Sequence, residues 1–264
     1  MRMRQMIFRR CWLGLEQRMI NAVTDFHSLF GLPDRGVRAV CTTRQTGRRQ
    51  GVYQGLNLAT HVGDDLKVVI KNREWLRRQF NLPDEPRWLN QVHGAQILEV
   101  GQNLERDRAD AAADGAITLV SNTVLAILTA DCLPILLASC DGARIAVVHA
   151  GWRGLLAGVI EAAVAGFEGA PVCAWIGPGM GPCHFEVGPE FKALFPEPGL
   201  LLSKPGQRDY LDLPEAANRR LQKVGVRQVV QSERCTVCEK DTFYSYRREG
   251  VTGRFASLLW RTLG

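Results

Sequence analysis

Three residues far apart in the chain have the types that hold a catalytic metal: His93, Cys132 and His149. Turn chemistry ties two of them together. Between Cys132 and His149 lies Asp141-Gly142, a dipeptide that favours the positive-φ backbone of a tight hairpin. The β-rich runs Ile135 to Ser139 and Arg144 to His149 flank it. If Cys140 and Ala143 bracket a two-residue turn, paired positions sum to 283, so His149 faces Pro134. Cys132 then lies about 7 Å of strand rise further along the first arm. Cys132 and His149 therefore share one end of a hairpin although 17 residues separate them. His93 follows a short apolar stretch, Trp88 to Val92, and precedes Gly94. Two imidazoles and one thiolate suit zinc, and three protein ligands leave a fourth tetrahedral position for water or substrate. Each residue alone has a plainer reading. A strand-end cysteine is usually a small buried apolar group, and a lone histidine is usually satisfied by hydrogen bonds.

Other residues could serve such a centre. Asp131, next to Cys132, could orient a ligand or move a proton, or simply cap a loop. Arg44 ends a strand and Arg153 sits in Gly151-Trp152-Arg153-Gly154. Either guanidinium could fork onto a phosphate or carboxylate, Arg153 with help from the start of the next helix. Either could equally be a loop-capping arginine. The one CxxC, Cys235 to Cys238, needs a second pair to hold a structural metal, and Cys183-His184 is the visible possibility. A plain structural role for these cysteines outweighs both a metal and a redox reading. No GxxxxGK[ST] loop is present, and the prolines of Gly177-Pro178-Gly179-Met180-Gly181-Pro182 make a rigid turn rather than a dinucleotide fingerprint.

The elements that must position these residues alternate along the chain. Strands are expected at Val37 to Thr43, Trp88 to Val92, Gln96 to Val100, Thr123 to Thr129, Ile135 to Ser139, Arg144 to His149, Val172 to Gly177 and Val226 to Val230. Helices are expected at Lys67 to Phe80, Leu155 to Phe167, Pro189 to Phe195, Leu213 to Val224 and Gly253 to Leu263. Gln45 to Gly55 and Asp107 to Asp114 read as polar loops. Alternation with an internal hairpin predicts α/β, a single layered domain with a mixed β-sheet.

At 264 residues, 46% hydrophobic and 23% charged, the chain is an ordinary globular protein with enough length to bury a core without staples. No apolar run reaches the roughly 18 residues of a membrane-spanning helix. The net charge of +6 resides in the first 50 residues, whose ten arginines and three acids leave the remainder near neutral. A nucleic-acid-binding domain carries its basic face within the fold, so no nucleic-acid partner and no membrane partner are expected. Arg9-Arg10 is followed by no apolar signal segment, which places the protein in the cytoplasm by default. Residues 1–36 read as an N-terminal extension, the first 18 as a disordered appendage or an overextended start, and 37–264 as the catalytic domain.

Ordered motifs carry a resemblance. Thr42-Thr43-Arg44, Leu56-Asn57-Leu58 with His61-Val62-Gly63-Asp64, Asn90-Gln91-Val92-His93-Gly94, Asp114-Gly115, Thr129-Ala130-Asp131-Cys132-Leu133-Pro134 and Val148-His149-Ala150-Gly151-Trp152-Arg153-Gly154 appear in this order. Ile176-Gly177-Pro178, Gly181-Pro182-Cys183, Phe185-Glu186-Val187 and Phe243-Tyr244-Ser245-Tyr246-Arg247-Arg248 follow. Over about residues 37–264 the chain closely resembles the YfiH family, also called multicopper polyphenol oxidase or laccase-domain proteins and related to FAMIN. The resemblance implies zinc on His93, Cys132 and His149. It implies a purine nucleoside phosphorylase acting on adenosine, inosine, guanosine and S-methyl-5'-thioadenosine with phosphate, and an adenosine deaminase activity. By motif, Asn57 and His61 join Arg44 in substrate binding, with Asp131, Arg44 and Arg153 as catalytic candidates. Bacterial members are also described as peptidoglycan editing factors, which makes a hydrolase of serine-containing muramoyl precursors the alternative. The chain departs from the family at His184, which receives no metal role, and in the basic loop Gln45 to Gln50. A copper-dependent oxidase is disfavoured, because five histidines in all cannot furnish both a His₂Cys copper and a separate trinuclear cluster. The oligomeric state is left open.

Overall fold

The computed structural model describes residues 19–45, 51–101, 112–203 and 208–262. Its strands in chain order are β1 Thr24–Asp25, β2 Val37–Cys41, β3 Ile97–Glu99, β4 Gly115–Thr118, β5 Val124–Thr129, β6 Leu133–Ser139, β7 Ile145–Ala150, β8 Val172–Ile176, β9 Glu186–Val187, β10 Leu201–Leu202, β11 Asp209–Leu211, β12 Gln228–Gln231 and β13 Phe255–Arg261. The helices are α1 Leu66–Gln79, α2 Trp152–Ala157, α3 Val159–Ala165, α4 Phe191–Leu194, α5 Leu213–Lys223 and α6 Tyr246–Glu249, with a 3₁₀ turn at His27–Phe30. The fold is mixed α/β.

Two large sheets face one another. One has the order β12-β8-β6-β7-β4-β3, the other β1-β2-β13-β5, and a small sheet β10-β11-β9 lies apart. The six-stranded sheet is mixed: β12 pairs parallel to β8 and β3 parallel to β4, and the other pairs are antiparallel. Leu136, Ala138, Val147 and Trp175 of this sheet meet Ala39, Leu125, Ile127, Phe255 and Leu259 of the other in one core. The outer face of the six-stranded sheet packs Ile135, Leu137, Val148 and Ile176 against Leu155, Val159 and Ile160 of the α2–α3 region and Ala217 and Leu221 of α5. The outer face of the four-stranded sheet packs Val40, Leu128, Leu258 and Trp260 against Leu76 of α1. Strands covered on both faces lose the alternation of a half-exposed sheet, which is why β5, β6 and β7 are buried at every position.

The hairpin expectation holds in register: Pro134 lies opposite His149 and Leu133 opposite Ala150. The turn itself is wider than two residues. Ser139 N donates to Arg144 O and Gly142 N to Ser139 O, while the Asp141 carboxylate accepts from Ala143 N and Ser139 Oγ. The C-terminal element is corrected from helix to strand. β13 runs between β2 and β5, sending Ala256, Leu258 and Trp260 to one core and Phe255 and Leu259 to the other. A central strand with two buried faces reads as a continuous apolar run, which local pattern cannot tell from a buried helix segment. The expected helix Leu155 to Phe167 is divided at Gly158, whose φ of +87° ends α2 before α3 starts. Of the expected strand Trp88 to Val92, only an isolated bridge at Asn90 forms, with another at Arg87 just ahead of it.

Ahead of residue 37, Met19, Phe26 and Leu29 are buried in the core between the sheets and β1 pairs with β2. The first 18 residues and most of the Gln45–Gln50 and Asp107–Asp114 loops lie outside the described residues. Among the described residues no helix is long and apolar enough to cross a membrane.

Candidate active site

The site forms at one end of the two facing sheets, where several strands start or finish together. His149 is next to last in β7, and Cys132 immediately precedes β6. Asp114 immediately precedes β4, whose first residue pairs with Val148. The segment Ala130–Cys132 carries the chain from β5 in one sheet to β6 in the other within three residues. So abrupt a crossing requires a backbone rarely adopted by side-chain-bearing residues, and Asp131 supplies it with φ +101°.

His93, Cys132 and His149 are brought together. Their ligand atoms all lie within 4.8 Å of one another. The two imidazoles meet edge to face, with centroids 4.8 Å apart. Asp114, quoted only as a motif residue from sequence, builds this arrangement. Its buried carboxylate accepts from the backbone amides of Val92, His93 and Gly94 at 3.2, 2.8 and 2.6 Å. The same carboxylate bonds His149 Nδ1 at 2.8 Å, fixing the ring and leaving Nε2 for the cluster. One side chain thus clamps the loop that carries His93 onto the strand that carries His149. His93 has φ +63°, and the three amides donated to Asp114 hold that turn. Gly151 completes the packing: a Cβ there would stand 2.8 Å from Cys132 Sγ and 3.2 Å from the His93 ring.

The cluster is electrostatically tuned. Burial raises the Cys132 thiol, but His149 and His93 more than offset it and bring the pKa down to about 6. Burial opposes an imidazolium at His149, yet Cys132 and Asp114 prevail and push it up to about 9. Burial also raises the Asp114 carboxyl, but the His149 ring and the Gly94 amide hold it below the usual carboxylate range. These are the features of a site that stabilises a sulfur anion.

The cluster borders a cavity of about 450 Å³, a size suited to a small organic ligand. Trp152, Phe185, Tyr246, Met180 and Leu128 supply apolar wall, and Arg153, Arg247, Arg254 and His61 supply polar groups. Arg153 lies over the Trp152 ring at 4.2 Å and Arg247 over Phe185 at 5.3 Å. Gln91 locks its amide onto both backbone groups of Leu128, at 2.8 and 2.9 Å, fixing the segment before His93 to β5. Desolvation, then the charges of Arg254 and Arg73, hold His61 below the ordinary imidazole pKa.

The remaining expected residues divide. Asp131 borders the cavity, but its carboxylate is engaged by Thr236 Oγ1 at 2.6 Å and the Arg247 amide at 2.7 Å. Asn57 is fully buried and does not line the cavity. It accepts from Arg254 N at 2.9 Å and donates to Asp64 at 3.0 Å, so it places Arg254. Arg44 is not brought to this cavity. It pairs with Glu249 at 2.6 Å, lies over Tyr244, and borders a separate depression with Gln54 and Lys240. The guanidinium groups that border the cavity belong instead to Arg153, Arg247 and Arg254. Arg247 lies in a motif singled out from sequence, whereas nothing local marks Arg254.

Residues 38–262 match the family described as multi-copper polyphenol oxidoreductase laccase. Over 233 residues the chain is 42% identical to the purine nucleoside phosphorylase YfiH of Escherichia coli K12, across 86% of this chain and 94% of that protein. The chain belongs to the YfiH family. Within that family it is also 39% identical over 238 residues to the purine nucleoside phosphorylase of Haemophilus influenzae, across 86% of this chain and 95% of that one. Among solved structures, a Neisseria meningitidis protein superposes with a TM-score of 0.79 at 37% identity, covering 88% of this chain and 96% of its own. YlmD from Geobacillus stearothermophilus gives 0.78 at 32% identity, covering 86% and 93%. Membership of the YfiH family and the His–Cys–His cluster together point to a bound metal.

Proposed function

We propose that the chain is a zinc-dependent purine nucleoside phosphorylase, with adenosine deamination as a second activity of the same cavity. The observation that carries this reading is the convergence of His93, Cys132 and His149 on a cavity that also presents aromatic walls and three guanidinium groups. The two relatives named above carry the phosphorylase name.

Three nitrogen and sulfur ligands are the donor set of a catalytic rather than a closed zinc site. Zinc held there supplies Lewis acidity at the cavity wall. The protein's own groups do the rest. Trp152, Phe185 and Tyr246 offer faces to a planar purine. Arg153, Arg247 and Arg254 neutralise phosphate as its oxygen bonds to the ribose anomeric carbon and the glycosidic bond breaks. The proton of the attacking phosphate balances the charge on the departing purine nitrogen. His61, kept neutral by its surroundings, offers a hydrogen bond to the sugar without adding charge. Asp131, engaged by Thr236 and Arg247, acts as a positioning residue for the Cys132 turn.

The test combines metal analysis with product identification. The expected result is adenine and ribose 1-phosphate from adenosine only when phosphate is present, with inosine forming without it. A His149→Ala variant that retains both activities would overturn the reading. Preferential turnover of a UDP-linked muramoyl-serine precursor over adenosine would replace it with the editing hydrolase.

A further inference from the structure

A second group of metal-ligating side chains stands outside the catalytic cavity. Cys183, His184, Cys235 and Cys238 place all four ligand atoms within 4.8 Å of one another. Cys183 Sγ lies 3.6 Å from Cys235 Sγ and 3.5 Å from Cys238 Sγ. His184 Nδ1 lies 3.2, 3.9 and 3.5 Å from Cys183, Cys235 and Cys238. Ideal tetrahedral zinc, with its usual bond lengths, has sulfur–sulfur edges of about 3.8 Å and sulfur–nitrogen edges of about 3.5 Å. The five separations agree with that tetrahedron to within a few tenths of an ångström. The cysteines are free thiols rather than a disulfide.

The backbone is arranged for the same purpose. The amides of Gly181, Val237 and Cys238 are directed at the Cys235 sulfur, the first at 3.3 Å. Cys183 and His184 ride on a turn in which the amides of His184 and Phe185 donate to Gly181 O. Gly179 and Cys235 form a bridge, with Thr236 N donating to Gly179 O at 3.0 Å. Two turns distant in sequence are thus apposed with their sulfurs facing one another.

We infer that these four residues form a closed structural site for a thiophilic divalent metal of the zinc class, separate from the catalytic cluster. Its function is to pin two turns that stand behind one wall of the cavity and bond to residues lining it. Thr236, within the CxxC, donates to Asp131 Oδ1, and the His184 carbonyl accepts from the Arg247 guanidinium at 3.1 Å. Both contacts lead to groups that border the cavity.

The test is a count of metals and thiolates on the full chain, purified under reducing conditions and equilibrated with zinc. Wild type is expected to hold two equivalents, Cys235→Ser/Cys238→Ser one, and His149→Ala one. Cobalt substitution separates the sites without relying on the double variant's folding. In His149→Ala the remaining cobalt should show tetrahedral bands with charge transfer from three thiolates, against one thiolate for the catalytic cluster. Thiol titration of native zinc-loaded wild type should find Cys183, Cys235 and Cys238 protected until a chelator is added. One equivalent in wild type that persists in Cys235→Ser/Cys238→Ser, or free reaction of all three thiols in the loaded protein, overturns the inference. A disulfide among them under these conditions overturns it as well.

Discussion

The His93–Cys132–His149 cluster and the Cys183–His184–Cys235–Cys238 cluster use the same side-chain chemistry on different backbone supports. The first is assembled at the ends of β6 and β7 and in the loop before β3, with Asp114 fixing both the His93 turn and the His149 ring. The second lies in turns near the surface, where Cys183, His184 and Cys238 are exposed. Three ligands beside a cavity leave room for reactants, whereas four ligands at a surface complete a tetrahedron. Rigid strand ends suit a centre that must hold its geometry during chemistry, and loops suit a fastening. The two are joined through Thr236 and Asp131, the residue that precedes Cys132.

Replacing His149 with alanine should break the contrast most severely. Phosphorolysis should fall by at least about a hundredfold, more than removal of a supporting group costs, while metal at the surface cluster persists. A smaller effect is expected from Asp114→Asn, which keeps the shape but weakens the hold on His149 and on the His93 turn. Metal affinity of the cavity cluster should drop by about 10- to 100-fold in competition with a chelating dye, and the surface cluster's affinity should not follow. Arg254→Ala should raise the KM for phosphate about tenfold, as loss of one charge-assisted hydrogen bond of roughly 1.5 kcal/mol implies. Arg44→Ala makes the counterpart. Its pairing with Glu249 predicts a lowered unfolding midpoint, from loss of about 1 kcal/mol, rather than a comparable change in KM. The mildest change sharpens the link between the clusters. Thr236→Val deletes the hydroxyl that bonds Asp131 and should cost about 1–2 kcal/mol of stability, with a few-fold loss of kcat. Equal metal content in that variant would separate the positioning of Asp131 from metal binding.

The legible part of the site was the part written in local turn chemistry. Asp141-Gly142 implied the hairpin, and the observed pairing of Pro134 with His149 follows the expected register despite the wider turn. The motif-borne residues divided according to contacts that no short segment contains. Asn57 is a buried support for Arg254, and Arg44 is ion-paired beside another depression. Asp114 was visible as an aspartate before a glycine, but its importance comes from amides 20 to 22 residues away and an imidazole 35 residues away. The CxxC drew notice from spacing alone, and its apposition to Cys183-His184 depends on the Gly179–Cys235 bridge.

By itself the sequence determined which segments are apolar enough to be buried, where the central hairpin turns, and which residue types are available to bind a metal and an anion. These are properties of a few neighbouring residues, so they survive without knowledge of the rest of the chain. The tertiary structure decided that Phe255–Arg261 is a strand, because only the two cores on its faces distinguish it from a helix. It also decided that Arg247 and Arg254, rather than Arg44, border the cavity. Those outcomes belong to the packing of two sheets, where a side chain's surroundings are supplied by residues far away along the chain.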